Sequence, residues 1–182
     1  IACEDPRHSR KLLTHFEISK PLISCRSQNE VQAAAKLLER LAEGQDVAYV
    51  SDAGTPGLSD PGVRLVGEIR AAGYPIVPIP GPSAFTALLS VSEFGGRTVT
   101  FDGFLSPKGG KRSTRIAELL EREENFVLYE SPHRILKILA DIAEKEPERQ
   151  VLIGREMTKL HEEFISGTSS EVLEVLEGRN SL

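Results

Sequence analysis

Short apolar runs alternate along this chain with segments whose apolar residues recur every three to four positions. The first pattern suits strands and the second suits helices packed on one face. Residues 7–16 are predicted as a short helix with Leu12, Leu13 and Phe16 facing inward, and 22–24 as a brief strand. Ser27-x-x-Glu30 has the form of a capping box. Val31, Ala34, Ala35, Leu38, Leu41 and Ala42 follow it at helical spacing, and Gly44 closes that helix. Residues 46–50 form the next apolar run, and 63–72 the next amphipathic helix. Asp60 reads as its N-cap and Pro61 as its first residue. That helix stops at Gly73, before Pro75. Residues 76–79 are expected as a strand near a sheet edge, given Pro78, and Ser83 as the cap of a helix over 83–93.

Gly95-Gly96 is the best linker candidate, and the alternation restarts after it. A strand is predicted at 98–101, then a basic loop and a helix at 113–122. A strand at 126–129 follows, and Glu130-Ser131-Pro132 caps a helix over 132–145. Strands at 151–153 and near 163–166 lead to a second capping box, Thr168-x-x-Glu171, that opens the last helix. Strands alternating with helices of this length imply an α/β fold with mostly parallel sheets. The break near the middle divides it into two α/β domains, 1–95 and 96–182, each feasible in size.

Composition narrows the class. The 182 residues have 40% apolar and 27% charged content, ordinary for a globular protein. A formal net charge of −5 argues against a uniformly basic coat for nucleic acid, though not against one basic patch. Cys3 and Cys25 form neither a metal pattern nor a disulfide framework, so reduced thiols in a cytosolic protein are expected. No apolar run is long enough to span a bilayer, and no signal peptide is recognisable.

Candidate chemistry gathers where predicted strands meet loops or helices. The richest stretch is Ser51-Asp52-Ala53-Gly54-Thr55-Pro56-Gly57-Leu58-Ser59-Asp60-Pro61-Gly62. Loops at the carboxyl ends of strands hold the ligands of open α/β sheets. Glu4-Asp5-Pro6-Arg7, Glu130-Ser131-Pro132-His133-Arg134 and Arg155-Glu156-Met157-Thr158-Lys159 occupy comparable junctions. Two α/β layers would bring such clusters to one cleft. Plainer readings compete. His8 and His15 suit a solvated helix surface, Arg155 with Glu156 an ordinary exposed ion pair, and His133 and Arg134 a first helical turn. His161 with its acidic neighbours fits no helix-borne zinc motif, and no metal is expected. Neither a P-loop nor a Gly-x-Gly-x-x-Gly stretch occurs. Lys108, Lys111, Arg112 and Arg115, with Gly109 and Gly110 among them, read as a mobile basic loop suited to a phosphate backbone.

The 51–62 stretch, Pro80-Gly81-Pro82-Ser83-Ala84, and the motifs at 130–134 and 155–159, in that order, resemble those of the small-subunit ribosomal RNA (cytidine-2′-O)-methyltransferases of the tetrapyrrole methylase superfamily. The resemblance covers nearly the whole chain. It implies two α/β domains with S-adenosylmethionine in the cleft between them, a homodimer, and a cytoplasmic enzyme. It also implies a target, the ribose 2′-hydroxyl of a cytidine in 16S ribosomal RNA of the small subunit; separately, no role for DNA, membrane or metal is expected. Ser51, Asp52, Ala53, Gly54, Thr55, Asp60, Pro82, Ser83, Ala84 and Met157 are then assigned to the cofactor. Glu4, Asp5, Glu130, His133 and Glu156 stay open as the base, with Arg7 beside them. Arg134, Arg155, Lys159 and the basic loop are assigned to the RNA. Two departures stand out. Pro6 replaces the family's usual threonine, and the family's first strand and Gly-Asn-Leu loop are expected ahead of Ile1. A precorrin-type C-methyltransferase and a non-catalytic metabolite-binding module are the alternatives.

Overall fold

The computed structural model describes residues 1–122 and 124–179. They form two compact units, Ile1–Ser83 and Ala84–Leu182.

In the first unit, β1 (Ala2–Cys3) is the middle strand of a three-stranded parallel sheet. It lies between β2 (Ile23–Ser24) and β3 (Tyr49–Val50). Parallel neighbours need crossovers, and α1 (Pro6–His15) and α2 (Glu30–Ala42) supply them. The core joins Ala2 and Cys25 to Ala33, Ala34 and Leu37 of α2 and to Leu65 and Ile69 of α3 (Val63–Ala71).

The inward face of α2 is the expected one only in part. Ala34 is buried and Leu38 and Leu41 pack on the core as expected, but Ala33 and Leu37 are buried too, while Val31 is 52% exposed. This rotation puts Glu30 on the apolar face, 7% exposed. No Ser27 capping box forms. Asn29 is the N-cap, and its side chain accepts from Arg26 N at 2.6 Å and donates to the Ser24 carbonyl at 3.1 Å. Glu30 has a different role. Its Oε2 accepts the backbone N–H groups of Gly62, Arg64 and Leu65 at 3.1, 3.0 and 3.2 Å. These are among the orphan donors that begin every helix, so a carboxylate 32 residues earlier caps α3. Asp60 is therefore not the cap, and the N-cap position belongs to Gly62. Gly62 has φ +131°, and a Cβ there would stand 2.8 Å from the Tyr49 ring. Tyr49 Oη in turn donates to the Pro61 carbonyl at 2.8 Å.

Two further expectations fail in this unit. Leu12 and Phe16 of the α1 region are 55% and 62% exposed rather than inward. Residues 76–79 form no strand, and Val77 and Ile79 are 74% and 84% exposed. Prolines at 75, 78, 80 and 82 remove the N–H groups that a ladder would use.

The second unit begins with α4 (Ala84–Ser90). Its β4 (Val99–Phe104) and β5 (Asn125–Tyr129) pair in parallel through α5 (Gly109–Leu120), and Leu105, Ile116, Leu120, Ile138 and Ile142 fill that core. After α6 (Ile135–Lys145), β6 (Gln150–Arg155) and β7 (Glu163–Thr168) form an antiparallel pair. Leu139 of α6 packs against Val172 and Leu176 of α7 (Ser169–Glu177). The Thr168 capping box forms as expected, with Thr168 and Glu171 exchanging hydrogen bonds. The predicted basic loop does not form, because residues 109–115 are already the first turns of α5. The helix expected from 132 begins at Ile135, after a turn in which the Ser131 carbonyl accepts from Arg134 and Ile135.

Glu30→Ala leaves three backbone donors without an acceptor and is expected to destabilise the protein by roughly 2–4 kcal/mol. Glu30→Gln keeps an acceptor oxygen and is expected to lose less. Chemical denaturation of both variants checks this. Equal losses would show that volume, not capping, holds the position.

Candidate functional site

Two groups of the expected residues are assembled, one in each unit. The first gathers at the carboxyl ends of β1 and β3. Glu4 and Asp5 follow β1 directly, and Ser51 and Asp52 follow β3. The Asp5 N–H donates to Asp52 Oδ1 at 3.2 Å and ties the two loops together. Asp5 is the N-cap of α1. Its carboxylate accepts Arg7 N at 2.8 Å, pairs with the Arg7 guanidinium at 3.0 Å and stands 3.6 Å from Arg26. The Arg7 hydrogen bonds hold its pKa down to about 2, so it stays an anion. Pro6 sits at N1, where an N–H has no helical partner in any case.

Glu4 and Asp60 have the opposite electrostatics. Burial raises the pKa of Glu4 first, with the charges of Asp52 and Asp60 adding to it. Burial and then Asp52 raise that of Asp60. Three carboxylates thus crowd one sheet end, none of them in an ion pair among the described residues and with Arg26 only a lesser influence on Glu4, and a positively charged ligand would relieve them. Among the described residues no group of His, Cys, Asp and Glu is placed to hold a metal ion.

The loop itself is open. Ala53, Gly54, Thr55 and Pro56 are exposed. Ser51 Oγ donates to the Gly54 carbonyl at 3.1 Å, and Thr55 Oγ1 donates to the Pro82 carbonyl at 3.0 Å. The second hydrogen bond links the 51–62 loop to the 80–83 turn, which the sequence treats as two separate motifs. Gly54 is at φ +71°, and Ser59 is left-handed at φ +60° without being glycine.

The second group belongs to unit 2. Tyr129 Oη accepts from Phe85 N at 2.9 Å, next to Ala84 at the start of α4. The Phe101 ring packs against both Phe85 and Tyr129, at 5.0 and 4.8 Å between centroids. Glu130 follows Tyr129, its side chain only 3% exposed. Glu130 Oε1 accepts from Ser131 N at 2.8 Å, and Oε2 lies 3.0 Å from Arg134 Nη2. Arg134 Nη2 directs its hydrogens at the Leu105 and Ser106 carbonyls, so its attraction to Glu130 is Coulombic rather than a directed bond. His133 is exposed.

On the strand pair, Gly154 is required by space. A Cβ there would lie 2.8 Å from Met157 Sδ, 2.9 Å from Leu88 Cδ1 and 3.2 Å from the Phe164 ring. The backbone then turns through Glu156 at φ +49° and Thr158 at φ +68°. A β-branched residue in the left-handed region is costly, and such strain concentrates at functional turns. Arg155 pairs with Glu163 at 3.7 Å, and Glu163 with Arg179 at 2.7 Å, whose hydrogen bonds hold the Glu163 pKa down. Lys159 pairs with Glu156 at 3.0 Å.

The basic segment is partly committed inside the unit. Arg112 binds Asp141 at 2.6 Å, with both side chains mostly covered. Arg115 binds Asp102 through Nε and Nη2, at 2.9 and 2.6 Å, and Glu118 at 2.7 Å. Lys108 and Lys111 are exposed and in no ion pair among the described residues. Sequence reading missed Glu30, Tyr129, Asp102 and Gly154. Only Glu30 left a trace, as an acid in register with Ala33, Ala34 and Leu37.

The profile of the tetrapyrrole (corrin/porphyrin) methylases matches residues 1–173. Several curated proteins are similar over most of the chain, each named ribosomal RNA small subunit methyltransferase I. The protein from Borrelia garinii subsp. bavariensis is 48% identical over 177 residues, 97% of this chain and 79% of its own length. That of Thermotoga maritima is 42% identical over all 182 residues, 82% of its length. That of Neisseria meningitidis serogroup B is 44% identical over 94% of this chain, which spans only 59% of it.

A carboxylic acid whose pKa is raised by folding adds stability below its unfolded pKa and loses it as pH rises through the folded one. Asp60→Asn is therefore expected to raise Tm by a few degrees at pH 7, and the gain should vanish below about pH 4. Thermal melts across that range decide. A gain independent of pH would mean that packing, not charge crowding, was relieved.

Proposed function

The chain belongs to the tetrapyrrole methylases, and on that premise we propose that it is an S-adenosylmethionine-dependent methyltransferase acting on the ribose 2′-hydroxyl of a cytidine in 16S ribosomal RNA. One observation carries this reading. Relatives bearing the name of a small-subunit ribosomal RNA methyltransferase are 42–48% identical across 94–100% of the chain. The protein is then cytoplasmic and works as a homodimer. No helix among the described residues is long and apolar enough to cross a membrane.

The residues present fit the donor. Its sulfonium and α-ammonium are cations, and the carboxylates of Glu4, Asp52 and Asp60 crowd at one sheet end with raised proton affinity at Glu4 and Asp60. Next to them, residues 53–56 offer exposed backbone, which the Thr55 hydrogen bond to Pro82 fastens to the second turn. Ser51, Asp52, Ala53, Gly54, Thr55, Asp60, Pro82, Ser83, Ala84 and Met157 would hold it. When bound, S-adenosylmethionine supplies a methyl group that needs no further activation. The protein's own work is then to orient the ribose and remove one proton. Orientation is a proximity effect and the larger share.

Glu4 is the carboxylate best suited to take that proton. Asp5 is locked as an anion by Arg7 and the cap of α1. Glu130 is buried against Arg134, and Glu156 is paired with Lys159. Burial and like charges instead raise the affinity of Glu4 for a proton, which brings a base closer to working pH. Arg134, Arg155 and Lys159 serve the RNA phosphates, together with Lys108 at the cap of α5 and Lys111 in its first turn, neither in an ion pair among the described residues.

Incubation of the protein with S-adenosylmethionine and small ribosomal subunits, followed by primer extension, is expected to reveal a 2′-O-methylated cytidine. No modified ribose would reject the reading, whereas methyl incorporation into a precorrin would favour a tetrapyrrole substrate. Glu4→Gln is expected to lower kcat roughly 10²–10⁴-fold and to remove the acidic limb of its pH profile. An unchanged profile would assign the proton to another group.

A further inference from the structure

Helix α1 has a charge pattern that its own stability does not explain. The acid at its start, the N-cap Asp5, is taken up by Arg7, and past it the first turn has no acid and carries Arg7 and His8. Over residues 6–20, Arg7, Arg10, Lys11 and Lys20 stand against the single carboxylate of Glu17, in a chain of net charge −5. All four cations are exposed. Arg10, Lys11 and Lys20 enter no ion pair among the described residues, in contrast to Arg112 and Arg115. At i, i+4 spacing Arg7, Lys11 and His15 share one stripe of the helix. At its end Phe16 is 62% exposed and meets the His15 ring edge to face, 5.0 Å away, and Leu12 and Ile18 are open beside them.

We infer that this face of α1 is a docking surface for single-stranded RNA, with Arg10 and Lys11 on phosphates and Phe16 under an unstacked base. Cations tracking a backbone and an aromatic ring beneath bases form the usual combination for unpaired strands. Position supports it. The helix begins at Asp5, whose backbone N–H is bonded to Asp52, so a strand lying along α1 runs to the carboxylate cluster at the ends of β1 and β3. The inference rests on the proposed function for the identity of the polyanion, but its readout is binding rather than methyl transfer.

Fluorescence anisotropy with a labelled, unstructured 12-nucleotide RNA tests it on the full chain, across a salt series. The double variant Arg10→Glu with Lys11→Glu is expected to weaken binding at least tenfold and to flatten the salt dependence by about 1.4 in log–log slope, two phosphate contacts' worth. Phe16→Ala is expected to weaken binding about tenfold with the slope unchanged. Arg10→Lys with Lys11→Arg should bind like the unaltered protein. Melting temperature and S-adenosylmethionine affinity should hold throughout, which separates a lost surface from a lost fold. Variants that bind RNA as tightly as the unaltered protein would overturn the surface, even if methylation is then observed. RNA binding that depends on α1 in a protein that methylates no ribose would support the surface and reject the proposed reaction. An unaltered protein with no affinity for the RNA would overturn this inference outright.

Discussion

A single buried carboxylate decides where the 51–62 loop can lie. Glu30 leaves α2 on the apolar face and accepts three backbone N–H groups at the start of α3. The end of the loop is thereby fixed to a helix formed much earlier in the chain. Tyr49 holds the same point from the strand side, through the Pro61 carbonyl and the space above Gly62. The loop's far end is thus held twice and its near end by the Asp5 N–H on Asp52 Oδ1, while its middle, residues 53–56, is left exposed. A ligand loop needs this combination of fixed ends and accessible backbone, because positions held in advance cost little to organise on binding.

Charge is distributed by a similar division of labour. Asp5, Asp102, Asp141 and Glu163 each have an arginine partner, and their job is to hold elements together. Glu4 and Asp60 have like charges and partial burial instead. Paired acids are ordinary structure. Acids crowded with other acids at a strand end oppose folding, and they persist where a ligand's charge repays them.

Much of this was legible in the chain. Short apolar runs and period-3.6 patterning located most of the strands and helices, and the Thr168 box formed as written because its two partners lie three residues apart. Legibility failed where the deciding partner was distant in sequence. Asp60 looked like the cap of α3, but a carboxylate from α2 took that place. The 108–115 segment read as a loop from its glycines, yet Arg112 and Arg115 find Asp141 and Asp102 across the unit and hold those turns in α5. The motifs at 51–62 and 155–159 were visible as residues. Their hydrogen bonds, such as Thr55 to Pro82, were not.

The proline-rich segment after α3 bears on how the protein behaves in bulk. Ile76, Val77 and Ile79 are apolar, β-favouring and open to solvent, the profile of a stretch that recruits other chains into intermolecular sheets. Prolines at 75, 78, 80 and 82 withhold the donors that such recruitment requires. The segment can therefore stay greasy on the outside without becoming adhesive, and its prolines act as gatekeepers for solubility as much as for shape.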